Sequence, residues 1–181
     1  IRLNLGLPTS STNIPDQRAQ GVAELMIDVR ESYAEPLSED MLFRWHKMLM
    51  GSGSKIIVGG WRTHVEPMQV VSGPIGRQKV HYEAPPSGSV PKEMSHFIDW
   101  FNDQCSNGNQ TITQSVINAA IAHVYFETIH PFEDGNGRIG RAIAEKVLSL
   151  GVGRPILLSL SKVIEANRND YYEALQKAQR N

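Results

Sequence analysis

Two apolar helical runs joined by a short, charged, glycine-rich loop constrain this chain more than any other feature. The first run opens at Thr111-Ile112-Thr113-Gln114 and carries Ile112, Val116, Ile117, Ala120, Ile121, Val124 and Phe126 up to Ile129. The second, from Arg138 to Leu150, brings Ile139, Ala142, Ile143, Val147 and Leu148 round at helical spacing. The expected unit is therefore helix, loop, helix, with the first and most apolar helix as the buried centre of the fold. Its loop, His130-Pro131-Phe132-Glu133-Asp134-Gly135-Asn136-Gly137-Arg138-Ile139-Gly140-Arg141, holds a base, acids, three glycines and two arginines. Such a stretch is poor in packing residues and rich in groups that bind anions or move protons.

Composition sets the frame around that unit. At 181 residues with 40% hydrophobic content, the chain can bury a sizeable core as one domain. A net charge of -1 provides no global basic field to recruit nucleic acid or an anionic membrane, so anion binding must come from local placement. One cysteine, Cys105, excludes an internal disulfide framework and fits a reducing, cytoplasmic setting. No apolar run approaches the roughly 20 residues of a membrane span. The chain opens on Ile1, and we expect it to be a piece of a longer protein, with 1–13 as a lead-in segment.

The remaining pattern is mostly helical. Asp16 is placed to cap a helix bearing Val22, Leu25, Met26 and Val29. Ser38-Glu39-Asp40 caps a second, with Met41, Leu42, Trp45, Met48 and Leu49 on its apolar face and Gly51 as its stop. Two short β-like runs, Met68 to Val71 and Lys79 to Tyr82, predict a hairpin flap over 66–83. Pro91 restarts a helix bearing Met94, Phe97, Ile98 and Phe101, and a last helix carries Tyr171, Tyr172 and Leu175.

Three generic motifs overlap the loop. Gly135-x-Gly137-x-x-Gly140 matches a dinucleotide fingerprint, but that needs a preceding strand and the residues before it are helical in period. Asp134, Asn136 and Glu145 sit at EF-hand positions, yet Arg138 and Ile139 occupy places where a ligand and the turn glycine belong. No P-loop sequence occurs. What survives is an anion loop in which Gly135 and Gly137 let backbone N–H groups and the next helix's N-terminus face a phosphate. His123 reads as a core histidine, and His46, His64, His81 and His96 receive no role.

The loop resembles the signature of the Fic family, His-x-Phe-x-(Asp/Glu)-Gly-Asn-Gly-Arg-x-x-Arg, at every defined position. Gly60-Trp61-Arg62, the hairpin, Tyr82-Glu83-Ala84-Pro85-Pro86 and Asp170-Tyr171-Tyr172 are similar to family features in the same order, so the resemblance covers the chain from about Ile14 onward. It implies a mostly helical bundle with a β-hairpin flap over the active loop. It also implies adenylyl transfer from ATP to a Tyr, Ser or Thr hydroxyl of a target protein. In that reading His130 is the base, Asp134 holds Mg²⁺, and Gly135, Asn136, Gly137, Arg138 and Arg141 bind the phosphates. Phe132 anchors the loop. Tyr171 and Tyr172 are candidates for adenine contact, and Val70, Val71, Ser72 and Gly73 form the flap edge that receives the target. Nucleic acid and membrane are not expected partners, and a homodimer is compatible with the reading.

Alternatives within reach are AMP removal, transfer of another phosphate-linked group, or a nucleotide sensor without turnover. Gly137 argues against the phosphorylating branch of the family, which carries Lys there. Many family members hold an inhibitory helix, Ser/Thr-x-x-x-Glu-Gly/Asn, whose glutamate pairs with the loop's second arginine, here Arg141. No glutamate in these 181 residues is followed by Gly or Asn, so such a helix is expected just upstream of Ile1.

Overall fold

The fold was examined in a computed structural model that describes residues 17–51, 55–72, 79–105, 110–156 and 160–179, with side chains omitted at 17, 18, 70–72, 79 and 81. Asp16, the proposed first cap, and Gly73 of the flap lie outside the described residues. The elements are α1 (Gln17–Glu31), α2 (Glu39–Met50), β1 (Gln69–Ser72), β2 (Lys79–Glu83), a 3₁₀ turn (Ser87–Ser89), α3 (Val90–Cys105), α4 (Ile112–Ile129), α5 (Asn136–Val152), α6 (Leu160–Ala166) and α7 (Arg168–Ala178). Mostly helical architecture with one small hairpin follows the expectation.

Local chemistry sets the helix ends. The Ser38 hydroxyl accepts from the Met41 amide at 3.2 Å and starts α2, and Thr111 does the same for the Gln114 amide at α4. Gly51 ends α2 at φ 63°, a value that suits glycine. The core joins Leu25 and Val29 of α1, Leu42, Trp45 and Leu49 of α2, Met94, Phe97 and Phe101 of α3, Phe126 and Ile129 of α4, and Ile139, Ile143 and Val147 of α5. The Asp28 carboxylate ties α1 to α2 by accepting from Arg44 and from the Trp45 indole N–H, the latter at 2.7 Å.

One expectation fails in part. Helix α4 packs most extensively against α5, but it is not buried all round: Ile112, Val116, Ile117 and Ile121 are exposed. Its inward face is instead Ser115, Asn118, Ala119, Ala122, His123, Phe126, Glu127 and Ile129. Ser115 and Asn118 turn inward onto Thr111, Gln104 and Gln110 at the start of the helix, and His123 and Glu127 onto Tyr171 and His130 toward its loop end, which leaves the aliphatic stripe outward. The last helix, with Tyr171, Tyr172 and Leu175, is α7, and a short helix, α6, precedes it across Asn167.

The hairpin pairs β1 with β2 antiparallel, with an irregularity between Val70 and Val71. Its base is held by the Ala84 amide on the Met68 carbonyl and by the Tyr82 hydroxyl on the Thr128 carbonyl, each at 2.8 Å.

Helix α5 carries a fully buried lysine whose ammonium closes the C-terminal end of α1. Lys146 Nζ donates to the carbonyls of Ser32 at 2.6 Å and Tyr33 at 3.0 Å, a cation at the negative end of a helix dipole. Lys146→Met keeps the stem and strands two carbonyls. We expect a loss of about 2–3 kcal/mol, read as a melting temperature lower by roughly 4–12 °C.

Candidate active site

The site begins where α4 ends. A helix leaves its last carbonyls without intrahelical donors, and here successive carbonyls are met by one neighbouring segment. Thr128 O takes the Tyr82 hydroxyl; Ile129 O takes an Arg62 guanidinium N–H at 3.3 Å; His130 O takes Arg62 Nε at 2.8 Å; Pro131 O takes the Arg62 amide at 2.9 Å. The other Arg62 donors go to the Pro85 carbonyl and the Ser87 hydroxyl. The guanidinium is buried and faces carbonyl and hydroxyl oxygens rather than a carboxylate.

Held in this way, His130 sits in the left-handed region at φ 50°, ψ 57°, the only described non-glycine residue with positive φ. Strain of this kind persists where surrounding contacts over-determine it and clusters at functional sites. The His130 ring is largely buried, and its Nδ1 lies 3.3 Å from the Glu127 carbonyl. With Nδ1–H donating there, Nε2 carries the free lone pair. Burial pulls the His130 pKa below its ordinary value, against a smaller opposing effect of that carbonyl.

The loop after His130 is clasped onto itself. Asn136 Oδ1 accepts from the Phe132 amide at 2.9 Å while its Nδ2 donates to the Phe132 carbonyl at 2.8 Å. Phe132, fully buried, stacks on His46 with centroids 4.1 Å apart. His46 accepts from the Gly59 amide at Nδ1, 3.0 Å, and donates from Nε2 to the Asp134 carbonyl at 3.2 Å. Gly135 then turns the chain at φ 88° into α5, and a Cβ there would lie 2.6 Å from Met50 Cε.

The result is a cleft of about 270 Å³ lined by His130, Glu133, Asp134, Gly135, Asn136, Gly137, Arg138 and Arg141. Of the residues named from sequence, His130, Asp134, Gly135, Asn136, Gly137, Arg138 and Arg141 meet here. Asn136 does so with its side chain committed to Phe132, so only its backbone faces an anion. Asp134 Oδ1 accepts from the Gly135 amide, and Oδ2 lies 3.3 Å from Arg138. Arg141 is steadied through Nε on the Ser161 hydroxyl at 2.9 Å. Tyr171 and Tyr172 do not line this cleft. Tyr171 gives its hydroxyl to His123 Nε2 at 2.8 Å, and Tyr172 is half-exposed beneath Arg168. Val70, Val71 and Ser72 lie on β1, on which the sequence had placed the flap edge.

Sequence reasoning gave no role to Arg62, His46 or Glu127. His46 carried a readable signal, a polar residue one turn after Leu42 on the buried face of α2. Arg62 carried none beyond the resemblance of Gly60-Trp61-Arg62, because its partners lie 23 and more residues away. His123 is a buried histidine as expected, but its Nδ1 has no hydrogen-bond partner.

A Fic/DOC family profile matches residues 36–148, and the chain belongs to that family. It is 28% identical over 145 residues to protein adenylyltransferase fic-1 of Caenorhabditis elegans, covering 80% of this chain and 24% of the relative. It is 32% identical over 98 residues to a probable protein adenylyltransferase of Aquifex aeolicus, covering 54% and 27%. The chain thus spans about a quarter of the length of the curated relatives it matches. A crystal structure of a Fic family protein from Desulfovibrio desulfuricans superposes with a TM-score of 0.65 at 27% identity over 98% of this chain and 50% of the other. Among the described residues no helix is long and apolar enough to cross a membrane.

His46 gives the site a pH-sensitive support. Its Nδ1 must stay unprotonated to accept from Gly59, and burial lowers its pKa. Unfolded His46 titrates near 6.5 and the folded residue lower, so below that pH the unfolded chain binds more protons and the contribution of His46 to stability declines. We expect His46→Phe, which keeps the stack on Phe132, to cost about 1–3 kcal/mol at pH 7.5. The gap to the wild type should narrow as pH falls to 5.5 in paired urea titrations.

Proposed function

We propose that this domain is a protein adenylyltransferase that moves AMP from ATP to a Tyr, Ser or Thr hydroxyl of another protein and releases pyrophosphate. The observation that carries the reading is a largely buried histidine, its pKa lowered by that burial and its Nδ1 against a carbonyl, at the mouth of a cleft closed by a helix N-terminus and two arginines. A base of that form beside an anion site suits transfer of a phosphoryl-type group to a hydroxyl. Similarity to proteins named protein adenylyltransferases supports the same class.

In the proposed step the acceptor hydroxyl gives its proton to His130 Nε2 as its oxygen attacks the α-phosphorus. The bond from that phosphorus to the bridging oxygen breaks, and pyrophosphate leaves with the electron pair. Backbone N–H groups of Asn136 and Gly137 at the start of α5 would face the phosphates, the preferred end of a helix for an anion, while the Gly135 amide is held by Asp134 Oδ1. Arg138 and Arg141 would balance charge on the departing pyrophosphate, their planar forks matching its oxygens.

Asp134 fits a magnesium ion held mainly by phosphates. It is a single exposed carboxylate at the cleft, and Mg²⁺ commonly takes one or two carboxylates with waters and substrate oxygens. Among the described residues no cluster of three or more His, Cys, Asp or Glu could form an all-protein site. Such an ion would supply charge neutralisation at the phosphates. Val70 to Ser72, on β1, would offer the target a strand edge. We place the domain in the cytoplasm on its composition.

Intact mass after incubation with ATP and Mg²⁺, with and without lysate proteins and α-labelled ATP, tests this. AMP adducts on this chain or on a target are expected. His130→Ala should lower transfer at least a hundredfold while ATP binding persists. Asp134→Ala should abolish the Mg²⁺ response, and Glu133→Ala should do much less. Residual transfer above a tenth of wild type in His130→Ala contradicts the role of the base.

A further inference from the structure

Behind the cleft lies a buried acid that the proposed reaction does not yet use. Glu127 is on the inward face of α4, one turn after His123 and one turn before His130, and is 6% exposed. Its Oε2 lies 3.8 Å from His130 Nδ1, beyond a hydrogen bond and within ion-pair range. Its Oε1 is buried with no hydrogen-bond partner, an arrangement costly enough to call for a reason.

Helix α5 is shaped around this carboxyl. A Cβ at Gly140 would stand 2.7 Å from Glu127 Oε1 and 3.0 Å from His123 Nδ1. Glycine at 140 is what lets α5 close on the acid. Around it stand His123 and His130 from α4, Arg141 from α5 and Tyr171 from α7; Gln179 Nε2 reaches the Glu127 carbonyl at 3.5 Å. Among the described residues, the cation at ion-pair distance from the carboxylate is His130 once charged.

We propose that Glu127 is a positioning residue for His130: its carboxyl anchors the ring at Nδ1, keeps Nε2 toward the cleft, and pairs with the imidazolium formed when Nε2 takes the hydroxyl proton. This rests on the adenylyl-transfer reading for its chemical consequence and on geometry for its physical one. The proton balance is unchanged: the hydroxyl proton goes to Nε2, and Nδ1–H remains in place, turned from the Glu127 carbonyl toward the Glu127 carboxylate. A loose contact in the resting site that tightens on charge formation acts on the transition state and not on ATP binding. Burial raises the Glu127 carboxyl to about 7 and lowers His130.

The test uses the whole chain, Glu127→Gln, which keeps the volume and removes the charge, and Gly140→Ala, which keeps the charge and displaces it. The ¹⁵N imidazole resonances of His130, assigned by their loss in His130→Ala, report its tautomer and titration. We expect Nδ1–H in the wild type and a His130 pKa about one unit lower in Glu127→Gln, with a shift of the same sign in Gly140→Ala. Where the domain transfers AMP, kcat should fall roughly ten- to hundredfold, the equivalent of one to two pKa units, with the KM for ATP unchanged. An unaltered His130 tautomer and titration in folded Glu127→Gln, or in Gly140→Ala should the former not fold, overturns the proposal. A wild type that forms no AMP adduct yet shows these shifts removes the transfer reading and keeps the positioning role.

Discussion

A buried arginine spending its hydrogen bonds on backbone oxygen is the interaction on which the site depends. The end of α4 must stop inside the protein, beside the cleft, where water cannot serve its carbonyls. Arg62 and its own amide meet Ile129, His130 and Pro131, and Tyr82 meets Thr128. Unpaired, each of these carbonyls would cost about 1–3 kcal/mol. The same guanidinium reaches Pro85 and Ser87, so the chain leaving the flap, the turn before α3 and the loop that starts at His130 are joined at one cation.

That junction explains how a strained residue is held at the position of the proposed base. His130 holds a left-handed backbone because its carbonyl is fixed by Arg62 and its amide by Phe126. From there the loop is ordered by its own parts, Asn136 clasping Phe132 and His46 bearing on Phe132 and Asp134. His130, Asp134 and the N-terminus of α5, the proposed base, metal carboxylate and anion site, are thereby arranged around one cleft. Preorganisation of this kind lets fixed dipoles act on developing charge without reorganising.

Much of this was legible in the residues. Ser38 and Thr111 announced helix starts, Gly51 a stop, and the run from His130 to Arg141 a compact anion loop with a base, because those signals are local. Apolar count misled at α4, where Ile112, Val116, Ile117 and Ile121 turn outward and Glu127 and His123 turn inward. The spacing of His123, Glu127 and His130 by four and three placed them on one face, but which face was inward is settled by α5. Arg62 could not be read, since an arginine shows nothing of carbonyls 67 residues on. Asn136, named for the phosphate cradle, also clasps the loop through its side chain, and Tyr171, named for adenine contact, has its hydroxyl 2.8 Å from His123 Nε2; neither side-chain contact is signalled by sequence.

The central claim is that Arg62 holds the conformation of the base. A crystal structure of Arg62→Met tests it most directly. The account predicts a folded bundle in which His130 has left the left-handed region and the Asn136 clasp on Phe132 is displaced. A variant whose residues 128–136 superpose on the wild type, with His130 still near φ 50°, would contradict it.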